Sequence, residues 1–413
     1  MATKYLPLEL IEWHKNHCPS PSSRSDLYDL CSTGVPSISV SDLIEISENR
    51  AESEERLALK NLGLEHNEAS SGDRAFRRNL ASLYSARSVG VSEDNILITN
   101  GADASNYAMF SALLAPGDHV ICQHPVNELL YKVPQSLGAE VTLWTTEPTK
   151  RWQVNTEELK EMIKDNTKMI VIQSPCDPTG AIVSKATLEA LVEIAQEKDI
   201  IILADESYRP LFHSISPSDE DFPPSTINMG YMRVVVTGTT SKAYSLAGIK
   251  AGWIASKDLN ILDACARSIQ YASLTASSLE GALAAEATSD RCIHALLGKN
   301  ITLCRTNLNL LQAFIEEHSW ACSWVKPLAG TTAMLKFHKM GKPVDDEAFC
   351  LELLANFDVL ICPASKCFGD KTRFRGYVRI AFGRPEAKMK AALAALAAFM
   401  EEMYEDIPTV SNR

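Results

Sequence analysis

Six short apolar runs between residues 90 and 260 constrain this chain more than any other feature: NILIT at 95–99, HVIC at 119–122, EVTLW at 140–144, MIVIQ at 169–173, IIILA at 200–204 and RVVVT at 233–237. They are rich in Val and Ile and lack the polar alternation of a half-exposed strand. Strands covered on both faces read this way. Helical stretches such as Ala104 to Leu114 and Lys185 to Glu197 lie between them, the order that builds a parallel sheet with crossover helices. An α/β fold with a large sheet domain is expected.

After residue 290 the pattern changes. Long helical segments run from Cys292 to Glu317 and from Glu386 to Met403, with strand-like pieces at Thr332 to Phe337, Val359 to Cys362 and Tyr377 to Ala381. The reading is an N-terminal segment (1–45) that joins a smaller domain, a large α/β domain (46–289) and a small C-terminal α+β domain (290–413). Ser214 to Ser225 reads as a surface loop, and Ser20 to Ser25 and the last few residues as disordered.

Composition narrows the partners. Forty Lys and Arg against 52 Asp and Glu leave a net charge of −12, so no positive field exists to bind nucleic acid or an anionic membrane surface. No run approaches the roughly 18 apolar residues of a membrane span, and the opening MATKYLPLELIEWHKNHC lacks the apolar core of a secretory signal. Eleven cysteines, an odd count without a C-x-x-C pair, fit a reducing compartment, and a cytoplasmic location is expected. His14, His17 and Cys18 have near-ligand spacing but no second half-site, so no metal is expected. Glu52, Glu54 and Glu55 read as an exposed helix face.

Ligands of open parallel sheets bind beyond the carboxyl ends of the strands, so the residues after each run carry the chemistry. NILIT is followed by Asn100-Gly101-Ala102-Asp103 and a helix, a turn that offers free backbone N–H groups to an anion. MIVIQ leads into Ser174-Pro175-Cys176-Asp177-Pro178-Thr179-Gly180, IIILA into Asp205-Glu206-Ser207-Tyr208, and RVVVT into Gly238-Thr239-Thr240-Ser241-Lys242. An aspartate, a tyrosine and a lysine on neighbouring strand ends could hold pyridoxal phosphate. Taken singly, Asp205 reads better as a helix cap and Lys242 as a surface cation.

Taken in order, these motifs, with Gly248-Ile249-Lys250-Ala251-Gly252 and Tyr377-Val378-Arg379-Ile380, resemble the signature of fold-type I, class I/II aminotransferases. The likeness covers nearly the whole chain from about Gly34, and the spacings agree: 205 − 177 = 28 and 242 − 205 = 37. Ser32-Thr33-Gly34-Val35, Ser136 to Glu140 and Asp205 to Leu211 are similar to the capreomycidine-synthase-like branch. The resemblance implies a mostly parallel, seven-stranded type of sheet with helices on both faces, a homodimer, and pyridoxal 5'-phosphate as cofactor. It implies that Lys242 carries the cofactor and shuttles the substrate's α-proton, that Asp205 keeps the ring nitrogen protonated, and that Tyr208 bonds the ring oxygen. Gly101, the amides of Ala102 and Asp103, Thr239, Ser241 and Lys250 would hold the phosphate. Arg379 would grip the α-carboxylate of an amino acid, with Gly34 closing from the other side.

The departures bear on the reaction. Asn127, in His124-Pro125-Val126-Asn127, stands where the family places an aromatic on the cofactor ring. Asp177 stands where it places an asparagine donating to the ring oxygen, and an ionised carboxylate cannot donate and would repel a phenolate. Lys250 replaces an arginine on the phosphate, and residues 61–75 contain no tyrosine to reach a partner's phosphate. Transamination with a keto acid as second substrate is the leading expectation. Elimination, replacement, cyclisation or oxidation on the same cofactor is the rival, and a catalytically silent binding or regulatory relative stands third, against the presence of both Lys242 and Asp205.

Overall fold

A computed structural model describes residues 5–18, 27–63, 71–85, 90–273 and 275–410. Ser20 to Ser25 and the three C-terminal residues lie outside this set, as does the middle of 61–75. Fourteen strands are described. The first, β1 (Tyr28–Asp29), lies apart from the central sheet, whose strands are β2 (Ile96–Thr99), β3 (His119–His124), β4 (Glu140–Thr145), β5 (Thr167–Gln173), β6 (Ile201–Asp205), β7 (Val234–Thr239) and β8 (Gly252–Ser256). Their order is β2-β8-β7-β6-β5-β3-β4. β3 to β7 pair in parallel, and β8 runs antiparallel to both β2 and β7.

Six of the seven strands coincide with the apolar runs, and the physical reason is visible in the packing. Alternate residues of each strand enter opposite cores. Ile98, Ile121, Ile170, Ile172, Ile202, Val234 and Val236 pack in one cluster, and Leu97, Val120, Cys122, Met169, Val171, Leu203 and Val235 in the other. With no wet face there is no reason for polar alternation. The seventh strand, β8, does not appear as an apolar run because it opens on Gly252, where a Cβ would lie 2.4 Å from the Gly101 carbonyl carbon. That close approach needs glycine.

A second sheet is built from β9 (Cys322–Trp324), β10 (Thr332–Lys339), β11 (Lys342–Pro343), β13 (Cys362–Pro363) and β14 (Tyr377–Ala381), ordered β11-β10-β14-β13 with β9 also on β10. β1 pairs in parallel with β12 (Val359–Leu360), and Ala381 N–H donates to the Leu30 carbonyl at 2.8 Å. The N-terminal stretch is thereby stitched to the second sheet. A 28-residue helix, Asp290–Glu317, and the helix Glu386–Glu402 pack on it. Residues 214–225 form an irregular connection that is exposed over most of its length.

Candidate active site

The parallel strands β3, β5, β6 and β7 end on one edge of the sheet. Cross-strand register puts Gln173, Asp205 and Thr237 side by side, and Thr99 and Thr239 flank Gly252 on the same edge. Most of the site is delivered from this row.

Asp205 ends β6 and is 2% exposed. One oxygen accepts the Ser207 N–H at 2.9 Å and the other the Asn106 side-chain N–H at 3.1 Å. Asn106 is itself fixed by the Thr237 hydroxyl, which donates to its Oδ1 at 2.8 Å. Burial raises the Asp205 pKa against these lowering hydrogen bonds. A carboxylate so placed gains from a cationic N–H partner, the form a protonated ring nitrogen takes. Among the described residues, no Lys, Arg or His forms an ion pair with it.

Lys242 follows β7. Its Nζ donates to the Thr33 hydroxyl at 2.6 Å and lies 5.2 Å from the centre of the Tyr208 ring. Burial lowers its pKa, partly opposed by the Asp177 carboxylate, which increases the share of free amine available as a nucleophile. The Tyr208 hydroxyl, buried and held protonated by burial and the nearby Asp177 charge, donates to Asp177 Oδ2 at 2.8 Å. The other Asp177 oxygen pairs with Arg379 Nη1 at 3.0 Å. Arg379 points from the middle of β14, is 2% exposed, and its Nη2 donates to the Cys31 carbonyl at 2.7 Å. Gly34 closes the same corner, where a Cβ would lie 3.3 Å from the Ser241 carbonyl oxygen.

The anion-binding end lies beside it. Gly101, at φ +92°, precedes the helix Ala102–Leu113, a dihedral that side-chain-bearing residues rarely adopt. Across from it, the Thr239 hydroxyl donates to the Ala251 carbonyl at 3.0 Å and accepts the Ser241 N–H at 3.1 Å. The side chains of Asp103 and Lys250 are exposed.

The structure therefore brings Lys242, Tyr208, Asp177, Arg379, Thr239, Ser241 and Gly34 around one corner of the sheet, with Asp205 on the adjoining strand end and Gly101 and Ala102 at the helix terminus. Asn127, expected beside the cofactor ring, has its Oδ1 accepting the Leu129 N–H at 3.1 Å at the start of the helix Leu129–Ser136. Two further residues escaped sequence reasoning. Thr33 receives the Lys242 ammonium, and Asn106 orients Asp205. Asn106 leaves a trace, being, with Ser105, a polar position buried just before Ala108, Met109 and Phe110 on the helix's inner face. Of the near-ligand trio, His17 stacks on Trp13 with ring centres 3.9 Å apart.

The chain's similarities agree with this geometry. Residues 43–396 match the family described as aminotransferase class I and II. Capreomycidine synthase from Streptomyces vinaceus is 28% identical over 303 residues, 73% of each chain. Aspartate aminotransferase from Thermotoga maritima is 27% identical over 322 residues, 75% of this chain and 76% of its own. The crystal structure of a PLP-dependent aminotransferase from Streptococcus suis superposes with a TM-score of 0.84 at 32% identity, covering 97% of this chain and 98% of that one. The chain belongs to the class I and II aminotransferase family, whose cofactor is pyridoxal 5'-phosphate.

Proposed function

We propose that this chain transaminates an α-amino acid with a keto acid as second substrate, residues 46–289 holding the cofactor and 290–413 supplying Arg379. The observation that carries the reading is a linked group: buried Arg379 pairs with Asp177, Asp177 accepts the Tyr208 hydroxyl, and the Lys242 amine sits over the Tyr208 ring with Thr33 as its hydrogen-bond partner. Bound pyridoxal phosphate supplies an electron sink for the pair left on the α-carbon when its proton leaves. Lys242 would carry the cofactor, and its amine would take the proton from the α-carbon and return it. Asp205 would hold a proton on the ring nitrogen, and Tyr208 would turn its one hydroxyl proton from Asp177 to the ring oxygen. Gly101, the Ala102 and Asp103 amides, Thr239 and Ser241 fit the phosphate, with Lys250 supplying charge from the rim. Arg379 binds and orients the α-carboxylate, and Gly34 closes against it. The test is incubation with each common amino acid while following the cofactor spectrum and identifying products by mass; keto acid formation supports the reading.

Asp177 favours the rival outcome strongly enough to keep it. A carboxylate in the position of a neutral donor can serve as acid or base in elimination, replacement or ring closure, and a relative is named capreomycidine synthase. Asp177→Asn separates the two. The substitution removes negative charge beside the ring oxygen and supplies an N–H, so the absorption band of the Lys242-bound cofactor should titrate about one pH unit lower. It also releases Arg379 from its ion pair. A transaminase should keep or raise its rate in the variant. A cyclase or lyase should lose its product and release keto acid instead. A band whose titration does not move removes Asp177 from the cofactor's surroundings.

The same reading includes a homodimer, each active site completed by its neighbour, in the cytoplasm. Light scattering at assay concentration should return twice the chain mass, and an active monomer would refute it.

A further inference from the structure

Arg379 is surrounded by sulfur as well as by oxygen. Its Nη2 lies 3.4 Å from Cys362 Sγ and 3.8 Å from Cys31 Sγ, and its guanidinium sits 5.6 Å from the centre of the Phe368 ring. Cys31 and Cys367 both bear on the ionisation of Cys362. All three are free thiols. The backbone explains the first contact. β1 and β12 pair in parallel with Tyr28 opposite Val359 and Asp29 opposite Leu360, and Leu30 N–H continues the ladder to the Leu360 carbonyl at 2.9 Å. Extended two positions past Asp29 and Leu360, that register would set Cys31 across from Cys362. Neighbouring strands are about 4.8 Å apart, inside the roughly 4.4 to 6.8 Å between Cα atoms that a disulfide spans.

We propose that Cys31 and Cys362 form a reversible disulfide under hydroperoxide, and that this bond tunes how tightly Arg379 holds the substrate's α-carboxylate. The proposal rests on the reading of Arg379 given above. Access follows from that reading, because a cleft that admits an amino acid to the guanidinium admits peroxide to sulfurs touching the same nitrogen. Burial opposes ionisation of Cys362, but hydrogen bonds from Cys31 and Cys367 and the Arg379 charge hold its pKa well below the usual thiol range, which makes it the attacking sulfur. Its thiolate attacks one peroxide oxygen, the O–O bond breaks, and the departing hydroxide takes a proton and leaves as water. Cys31, giving up its proton, then attacks the Cys362 sulfur; the S–O bond breaks and a second water leaves. Two thiols lose two electrons and the peroxide gains them.

The reduced sulfurs face Nη2 as acceptors and share Arg379 with Asp177. Drawing them into a disulfide withdraws that competition and leaves the arginine more available to a carboxylate. Oxidised holoenzyme should therefore show KM for the amino acid lowered roughly three- to tenfold, with kcat changed much less.

The experiment treats holoenzyme with hydrogen peroxide, measures intact mass and a Cys31–Cys362 cross-linked peptide, and follows KM and kcat before and after dithiothreitol. Expected are a loss of about two mass units per chain, the cross-link, and a KM shift that the reductant reverses. Cys31→Ser should lose the cross-link and the shift together, whereas Cys304→Ser, in the long helix, should keep both. A bond mapped to Cys362 and Cys367, no bond, or a bond without a KM change overturns the proposal. Arg379→Lys run alongside tests the underlying reading separately: an unchanged KM there, with the cross-link still forming, would place the error in the role of Arg379.

Discussion

Lys242→Ala should abolish the visible absorption band of the purified protein and lower turnover by about ten-thousandfold or more, the scale of a lost positioned acid–base group. Two properties of the native lysine argue for so large an effect. Burial lowers its pKa, keeping the amine competent as nucleophile and base, and Thr33 fixes its Nζ at 2.6 Å, so the group is positioned before substrate arrives. Lys242→Arg keeps the charge and loses the primary amine; it should be almost as inactive, which distinguishes a covalent and proton-moving role from an electrostatic one. Borohydride reduction of native protein, followed by peptide mapping, should place the label on Lys242. A label on another lysine would displace the whole site assignment.

The sequence made some of this legible for a definite physical reason. Strands buried on both faces are written as unbroken apolar runs, and the edge on which they end is where polar residues become conspicuous, so Asp177, Asp205 and Lys242 could be picked out as strand-end groups. β8 stayed hidden because the residue that lets it approach the Gly101 turn is a glycine, a strand breaker by composition. The contacts that decide the chemistry are a harder class. Asp177 and Arg379 are 202 positions apart, and Lys242 and Thr33 are 209 apart; only the packing of the second sheet and the N-terminal stretch against the first sheet joins them. Sequence reasoning treated Asp177 as a bare carboxylate that cannot donate and repels the ring oxygen. The structure supplies the missing partners: Arg379 balances its charge and Tyr208 donates to it. Asn127, placed near the cofactor by its position relative to a motif, also has a local role that the motif did not show: its Oδ1 accepts the Leu129 N–H at the start of a helix.

Asp205→Ala should slow exchange of the substrate α-proton by roughly a thousandfold or more, beyond the usual cost of one lost electrostatic donor, while the fold survives. The magnitude follows from what Asp205 does for the reaction. By holding a proton on the ring nitrogen, the role proposed for it, Asp205 would keep a positive charge where electron density accumulates as the α-proton leaves, from a buried setting in which water cannot substitute. The native carboxylate accepts hydrogen bonds from neutral donors, Ser207 and Asn106, and burial raises its pKa; pairing with a cationic N–H opposes that shift, so the residue and the ring proton support each other. Asp205→Asn retains shape and can still accept a hydrogen bond, but it lacks the charge and should be nearly as slow. Asn106→Ala should cost far less, on the order of tenfold, because it removes orientation and not charge. The discriminating measurement is single-turnover loss of α-deuterium together with a thermal melt: slow exchange in a stably folded Asp205→Asn variant, graded above Asn106→Ala, is the expected pattern. Equal rates in native and Asp205→Asn protein would mean that the ring nitrogen keeps its proton without this carboxylate, and the electron sink would have to be held by some other group at the strand ends.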